Sequence, residues 1–262
     1  MTEQTPTYAG SHIRLADLPT LTPDVAALRR NNIIGFNNRT AQSRPFDLLR
    51  TSFAKRLKDR KARLVGITSA TPSAGKSFLS INLAASLARV ADEEVHLVDL
   101  DIRRASVADG IGFEPEIGIE SFLSGQETDL RKLGYRVENT KLGVFPTIRN
   151  MQNTAEMLSG ASYPRLIDAF RNHARDATVL FDLPPAFASD DAMISVDQLD
   201  GYILVVDSGT TTKKQINEVV ALLDPAPCLG TILNRYRGGL GDTYGYGYNR
   251  SQYARYYNDD RS

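Results

Sequence analysis

Lys76 and Ser77 close a loop of small residues that is able to bind phosphate groups. The sequence from Ala70 to Ser77 follows the pattern A-x-x-x-x-G-K-S, a phosphate-binding loop with alanine where glycine is usual. Small side chains let backbone N–H groups approach a polyphosphate, the lysine reaches its terminal phosphates, and the serine hydroxyl ligates Mg²⁺. The alternative is a chance Gly-Lys-Ser, which the strand-like run before the loop and the helix-like run after it argue against. The residues predicted to contact a nucleotide here are Thr71, Pro72, Ser73, Ala74, Gly75, Lys76, Ser77 and Phe78.

Three carboxylates follow strand-like runs and are candidate metal ligands or proton acceptors. Asp99 and Asp101 end the run VHLVDLD, and Asp182 ends the run VLFDL. Since ligands of open α/β sheets bind at the carboxyl ends of the strands, we expect these acids near the phosphate loop. The alternative is that they only terminate strands as turn formers. Because the phosphate loop precedes them in the expected order, we favour a functional role.

The elements that must position these residues alternate between strand-like and helix-like patterns. Several strand-like runs are almost continuously apolar, which is typical of strands covered on both faces. We therefore predict an α/β fold in three layers, with a mainly parallel sheet between helices. The predicted strands are 64–68, 94–100, 143–145, 177–183, 201–207 and 230–234. The predicted helices are 45–57, 77–90, 117–124, 154–175, 189–198 and 212–224.

The composition limits the class of protein. Lysine plus arginine and aspartate plus glutamate each number 31 in 262 residues, so the net charge is zero and gives no reason to expect nucleic acid as a partner. A single cysteine excludes an internal disulfide. Because the N-terminus lacks an apolar signal-peptide core and no window approaches 18 uninterrupted apolar residues, we expect a soluble protein of the cytoplasm.

Three regions of the chain differ in composition. Residues 1–41 are predicted to form an N-terminal arm that docks on a partner, residues 42–236 a nucleotide-binding domain, and residues 237–262 a tail too poor in aliphatic residues to build a core. Such a flexible tail can present phenol groups in turn to an active site. The alternatives are an adhesive low-complexity tail or a nucleic-acid contact, and the mixed charge of the tail argues against the latter. The tyrosines of the tail are Tyr244, Tyr246, Tyr248, Tyr253, Tyr256 and Tyr257.

Taken together, the motifs resemble those of the bacterial tyrosine kinases. LVDLDIRRAS (97–106) is similar to their Walker A′ motif, with Ala105 where proline is common. VLFDLPPAF (179–187), followed by Asp191-Ala192, is similar to their Walker B segment. GIESFLSG and NTAEMLSG resemble two further segments of the family, and the resemblance covers about residues 45–257. It implies a P-loop fold of the MinD and ParA branch, although Thr71 stands where partitioning ATPases carry a signature lysine.

The resemblance implies a protein-tyrosine autokinase that transfers the γ-phosphate of ATP to the tail tyrosines, mainly in trans. Lys76 would contact the phosphates of ATP. The implied Mg²⁺ ligands are Ser77, Asp101 and Asp182, either directly or through water. Asp99 is the implied proton acceptor, although the roles of Asp99 and Asp101 are exchangeable.

Three further residues are candidate contacts of the nucleotide. Asn234 and Arg235 follow the last predicted strand, where an amide would be placed to read adenine. The alternative for Asn234 is a turn former at a strand end. Arg103 either neutralises phosphate charge or pairs with an acid.

The family works with a membrane-embedded polysaccharide co-polymerase, a chain-length regulator. For this chain the resemblance implies such an adaptor as activator, a role in capsule or exopolysaccharide assembly, a location at the inner face of the cell membrane, and a cognate tyrosine phosphatase. It also implies a ring-shaped homo-oligomer. Where the family carries E-x-x-R-x-x-R on its first helix, this chain has Arg44, Asp47 and Arg50, which indicates a swapped ion pair or a different assembly. Two other functions stay open, a MinD/ParA-like ATPase and an ATP-binding scaffold without kinase activity.

Overall fold

The computed structural model describes residues 13–37, 43–148, 153–173 and 176–236 of the chain. Within these ranges, eight strands form a single sheet with the order β1-β4-β5-β3-β6-β2-β7-β8. Neighbouring strands are parallel, apart from the antiparallel pair β4 and β5. The strands are β1 Thr20–Leu21, β2 Leu64–Ser69, β3 Val95–Asp99, β4 Tyr135–Val137, β5 Leu142–Phe145, β6 Thr178–Asp182, β7 Gly201–Asp207 and β8 Cys228–Asn234.

Helices cover both faces of the sheet, as the apolar strand sequences predict. Leu64 and Val65 are neighbours on β2, yet they belong to two different apolar cores because their side chains point to opposite faces. The α/β fold in three layers is therefore confirmed. The helices are α1 Val25–Arg30, α2 Arg44–Arg60, α3 Lys76–Ala88, α4 Val107–Ile111, α5 Ile119–Leu123, α6 Thr154–Ser159, α7 Ser162–His173, α8 Asp191–Val196 and α9 Lys213–Leu222. Across the described ranges, none of them is long and apolar enough to cross a membrane.

The structure divides one predicted helix and adds short elements that the sequence patterns did not indicate. The helix predicted over 154–175 is two helices, because α6 ends at Ser159 and the backbone of the next residue, Gly160, is extended. Pro164 lies in the first turn of α7, where a missing N–H costs no helical hydrogen bond. The elements β1, β4, α1 and α4 have six residues or fewer, too few for a periodic pattern.

The part of the N-terminal arm that the structure describes lies against the nucleotide-binding domain. Strand β1 pairs with β4 and thereby extends the sheet by one strand. Farther along, the backbone N–H groups of Ile34 and Gly35 both donate to Oδ1 of Asn82, each at 2.8 Å. Gly35 packs directly on the backbone of Asn82, so a side chain at residue 35 has no space. Residues 13–37 thus tie the sheet edge to α3, and docking of the arm on a partner stays a prediction.

Candidate functional site

The loop between β2 and α3 has the backbone that close approach to an anion requires. Ser73 and Gly75 have φ angles of +63° and +93°, in the left-handed region. The amide nitrogen of Asn234, at the end of β8, donates to the carbonyl of Ala74 at 2.8 Å. A Cβ at Gly75 would overlap that same amide nitrogen, so residue 75 needs glycine for its φ angle and for its space. The 13-residue helix α3 begins directly after this loop, and the free N–H groups of its first turn are suited to bind a phosphate.

The segment that follows Asp182 supports this loop from the opposite side. The backbone N–H of Ala186 donates to the carbonyl of Ser69 at 2.8 Å, and that of Phe187 to the carbonyl of Ala70 at 3.2 Å. The Ser69 hydroxyl also donates to the carbonyl of Thr71 at 2.7 Å. These backbone bonds fix the loop relative to the segment that follows the Asp182 carboxylate.

Lys76 and Asp101 form a buried ion pair at the carboxyl edge of the sheet. The Lys76 ammonium lies 3.6 Å from Oδ2 of Asp101, and the two side chains are only 7% and 6% exposed. Burial raises the pKa of Asp101 above its ordinary value, while the Lys76 ammonium opposes this rise. The structure thus brings the loop lysine and one predicted acid together.

Asp182 lies next to this pair and has an oxygen that is suited to a metal ion. It is opposite Asp99 in the register of β3 and β6, and its Oδ1 accepts a hydrogen bond from the Ser80 hydroxyl at 3.0 Å. Its Oδ2 is buried and accepts no hydrogen bond from the described residues. Burial raises the pKa of Asp182 to about 6, against the opposing effects of Lys76 and the Ser77 hydroxyl. A buried, unpartnered carboxylate oxygen beside a serine hydroxyl fits Mg²⁺, which prefers oxygen ligands.

Asp99 organises the backbone of the loop that follows β3. Its Oδ1 accepts from the N–H of Asp101 at 3.2 Å, and its Oδ2 accepts from the N–H groups of Ser106 and Val107, each at 3.0 Å. Burial and the nearby carboxylate of Asp182 raise the pKa of Asp99, and the backbone N–H groups oppose the rise. Both oxygens of Asp99 are therefore engaged, whereas Asp101 faces Lys76. The choice between Asp99 and Asp101 as proton acceptor stays a prediction.

An open depression of about 400 Å³ lies at the ends of β7 and β8. Its lining includes Asp207 and Arg235, whose Oδ2 and Nη1 atoms form an ion pair of 2.8 Å. The Asn234 amide donates to the phosphate loop, and its Oδ1 accepts from the N–H of Arg235. Asn234 is therefore engaged in holding the loop, and its role as an adenine contact stays a prediction.

Arg103 pairs with an acid, which was one of its two predicted roles. Its Nε donates to Oδ2 of Asp191 at 2.8 Å and to the hydroxyl of Thr154 at 2.7 Å. The Thr154 hydroxyl in turn donates to the same oxygen of Asp191 at 2.7 Å. The cluster thereby joins the segments that follow β3, β5 and β6.

Sequence reasoning missed several residues of this neighbourhood. Asp207 ends the strand GYILVVD, the same kind of position that picked out Asp99 and Asp182, so this signal was present. Ser80 lies one helical turn after Lys76, a spacing that places both on one face of α3. Nothing in the sequence pairs Thr154 with Asp191, because the contact depends on the packing of α6 against α8.

Asp47, near the start of α2, forms ion pairs with two arginines of the same chain. Oδ1 of Asp47 lies 2.9 Å from Nη1 of Arg50 and 2.6 Å from Nη2 of Arg89, the residue after α3. The pairing of Asp47 with Arg50 is thus intramolecular, and the predicted ring with a swapped ion pair stays a prediction.

Comparison with known proteins identifies the family of this chain. Residues 65–248 match the family model of the CobQ/CobB/MinD/ParA nucleotide binding domain. The tyrosine-protein kinase YwqD of Bacillus subtilis is 31% identical over 223 residues, which are 84% of this chain and 92% of YwqD. The tyrosine-protein kinase etk of Escherichia coli (strain K12) is 29% identical over 203 residues, which are 76% of this chain and 27% of that protein.

Solved structures of known proteins also resemble this chain. The kinase domain of Escherichia coli ETK superposes with a TM-score of 0.69 at 25% identity, over 82% of this chain and 84% of that one. MinD of Pyrococcus horikoshii, at 22% identity and a TM-score of 0.57 over 67% of this chain and 71% of that one, shares the fold. The family model and the nearly full-length match to YwqD decide the assignment. This chain belongs to the tyrosine-protein kinases of bacteria, enzymes built on a P-loop nucleotide-binding domain.

Proposed function

We propose that this protein transfers the γ-phosphate of ATP to tyrosines of its own C-terminal tail. The observation that carries the proposal is the convergence of Lys76, Asp101 and Asp182 beside a phosphate loop with two left-handed residues. Relatives named tyrosine-protein kinases support the choice of tyrosine as acceptor. The acceptor residues lie outside the described residues and are Tyr244, Tyr246, Tyr248, Tyr253, Tyr256 and Tyr257.

In this proposal the phosphates of ATP lie on the loop, and Lys76 leaves Asp101 to bind them. Mg²⁺ would be held by the Ser77 hydroxyl and the unpartnered oxygen of Asp182, and would supply charge neutralisation on the transferring phosphate. The structure of MinD from Pyrococcus horikoshii, which was solved with Mg-ADP, supports a magnesium nucleotide on this fold. The depression lined by Asp207 and Arg235 would receive the base of the nucleotide.

We assign the proton acceptor to Asp101. A tyrosine hydroxyl must give up its proton as its oxygen attacks phosphorus, and a carboxylate with a raised pKa accepts that proton more readily. Asp101 is free to do so once Lys76 has turned to the phosphates. Asp99 keeps the loop in place through its three backbone hydrogen bonds, so it acts as a positioning residue.

The proposed setting is the assembly of an exported polysaccharide, either capsule or exopolysaccharide. A membrane-embedded co-polymerase would activate the kinase at the inner face of the cell membrane, and a tyrosine phosphatase would reverse the modification. A ring of identical subunits would bring the tail of one subunit to the site of the next. Each phosphate adds about −1.5 to −2 charge at neutral pH, which opposes renewed docking of the tail against the acids of the site.

Mass spectrometry of the purified protein after incubation with Mg-ATP tests the proposal. The expected result is phosphate on tyrosines between Tyr244 and Tyr257 in the wild type and phosphorylation slowed by about 10²–10³-fold in Lys76→Met. ATP hydrolysis without phosphotyrosine would instead identify a partitioning-type ATPase, and nucleotide binding without turnover would identify a scaffold. Either of these outcomes, obtained with and without the cytosolic part of the co-polymerase, contradicts the kinase proposal.

A further inference from the structure

Arg103 carries an exposed guanidinium that is fixed at one end only. Its Nε is bonded to Thr154 and to Asp191, whose side chain is 2% exposed, whereas the arginine side chain is 41% exposed. The Nη1 and Nη2 groups make no hydrogen bond with any residue that the structure describes. The anchored Nε therefore sets the direction of a two-pronged donor, and such a fork matches the two oxygens of a carboxylate.

Arg104, the next residue along the chain, adds a second exposed cation. We call the exposed side chains of Arg103 and Arg104 the rim of the site. Its backbone N–H donates to the carbonyl of Asp101 at 2.9 Å, so its position beside the proposed proton acceptor is fixed. Its side chain is exposed, and its charge lowers the pKa of Asp101 to a small extent. Within the described part of the chain it forms no ion pair. Two cations thus stand next to a site whose interior holds three carboxylates.

The tail has acidic residues at the two ends of its tyrosine cluster. Asp242 lies two residues before Tyr244, and Asp259 and Asp260 follow Tyr257 by two and three residues. The tyrosines between them are flanked by glycine, asparagine, serine, glutamine, alanine and arginine. Two residues of extended chain span about 7 Å. A carboxylate at that distance from a tyrosine in the site is within reach of an arginine side chain at the rim.

We propose that the exposed ends of Arg103 and Arg104 bind a carboxylate beside the acceptor tyrosine. Tyrosines with acidic neighbours, Tyr244 and Tyr257, are then modified before the central ones such as Tyr248. The inference rests on the proposed kinase function and adds to it a preference for acid-flanked acceptors. Without these cations, the carboxylates of the site and the phosphates of ATP would repel an acidic acceptor.

A time course of tail phosphorylation on the full-length protein tests this inference. The quantity is the ratio of initial rates at Tyr257 and Tyr248, measured by mass spectrometry in Mg-ATP. We expect Arg104→Gln to lower this ratio about three- to tenfold, as does Asp259→Asn with Asp260→Asn, because a partly exposed ion pair is lost. The triple variant should show no further loss, since the two changes remove one interaction. Arg56→Gln, which removes an exposed arginine of α2, is the matched control and keeps the wild-type ratio.

Three results would overturn the inference. Equal ratios in the wild type, Arg104→Gln and the tail variant would show that acidic neighbours have no influence. An increased KM for ATP in Arg104→Gln, with all tyrosines slowed equally, would assign the arginine to the nucleotide. Absence of phosphotyrosine at every site of the wild type would refute the kinase function itself and this inference with it.

Discussion

The ammonium of Lys76 lies 3.6 Å from the carboxylate of Asp101, and both groups are almost completely buried. A buried ion pair is strongly destabilised when one partner is removed, because the other charge stays without compensation. In the proposed mechanism the nucleotide replaces Asp101 as the partner of the lysine when it binds. This exchange links the arrival of ATP to the release of the group that is proposed to accept the tyrosine proton.

Replacement of the loop lysine tests the charge that faces the phosphates. We expect Lys76→Met to slow phosphate transfer by about 10²–10³-fold, the effect of losing one preorganised charge at a reacting group. Initial rates of phosphotyrosine formation measure the loss. Lys55→Met, on the exposed face of α2, is the matched control and should keep the wild-type rate. A rate for Lys76→Met above one tenth of the wild type would contradict the assignment.

Asp182 makes the stability of the metal-free protein depend on pH. Its folded pKa of about 6 exceeds the ordinary value of 3.8, so the folded protein binds more protons between these limits. The free energy of unfolding therefore falls as pH rises from about 4 to about 6 and stays lower above that range. We expect Asp182→Asn to abolish phosphate transfer and yet to raise the unfolding free energy at pH 8 by about 1–3 kcal/mol. Thermal unfolding in EDTA at pH 5 and pH 8 measures the change in stability, and initial rates of phosphotyrosine formation measure the loss of transfer.

The stability of the protein should respond in the opposite direction when Asp200 is replaced by asparagine. Asp200→Asn is therefore a control for effects that any aspartate-to-asparagine change would have. Burial raises the pKa of Asp200. The N–H groups of Leu64 and Arg63 and the Arg171 guanidinium together lower this pKa by a larger amount, so the net shift is downward. Asp200→Asn is expected to destabilise the protein at pH 7 by about 1–3 kcal/mol. The difference from the wild type should shrink as the pH falls below 3.8, where the carboxylate takes up a proton. A lower free energy of unfolding at pH 8 in Asp182→Asn, as in Asp200→Asn, would contradict the account of Asp182.

Gly75 is expected to tolerate no side chain. Gly75→Ala places a Cβ at a φ of +93° and against the Asn234 amide, so we expect a loss of about 1–2 kcal/mol in stability and weaker ATP binding. Asn234→Ala in the same chain removes the overlap and leaves the strained backbone. Calorimetric titration with ATP should therefore show partial recovery in the double variant. No change in affinity for Gly75→Ala would show that this loop does not hold the nucleotide.

The N-terminal arm is expected to detach from α3 when the hydrogen-bond acceptor on α3, the side chain of Asn82, is removed. Asn82→Ala leaves the N–H groups of Ile34 and Gly35 without the oxygen they share, at a cost of about 1–3 kcal/mol. Hydrogen exchange at these two amides should become faster. Asn217→Ala, on the exposed side of α9, is the control and should leave the exchange rates of these two amides unchanged. Unaltered protection in Asn82→Ala would mean that this contact does not hold the arm.

The sequence indicated the sheet and the acids more fully than the contacts between loops. Asp99, Asp101 and Asp182 were recognised because strand-end acids and apolar runs are local signals, and β2, β3, β6 and β7 lie within a residue or two of their predicted bounds. Asp99 shows the limit of such signals. Its type and position suit a proton acceptor, but its two oxygens bind backbone N–H groups that only the folded loop brings near. Side-chain orientation after a strand depends on packing, which no local pattern carries.

Most of the contacts that the sequence did not predict join residues far apart in the chain. The bond from Asn234 to Ala74 joins residues 160 positions apart, and Asn82 is joined to Ile34 across 48 positions. Asparagine has many structural uses, so neither pairing follows from residue type. The edge strands β1 and β4 have two and three residues and bear no periodic signal.

Titration of the protein with ATP, in the presence and absence of Mg²⁺, tests the central claim most directly. The claim is that the loop ending at Lys76 and Ser77 holds the phosphates while Asp182 holds the metal. We predict that Mg²⁺ strengthens ATP binding to the wild type, and that Asp182→Asn binds ATP without Mg²⁺ normally but gains nothing when Mg²⁺ is added. An equal gain with Mg²⁺ in the wild type and in Asp182→Asn would contradict the claim.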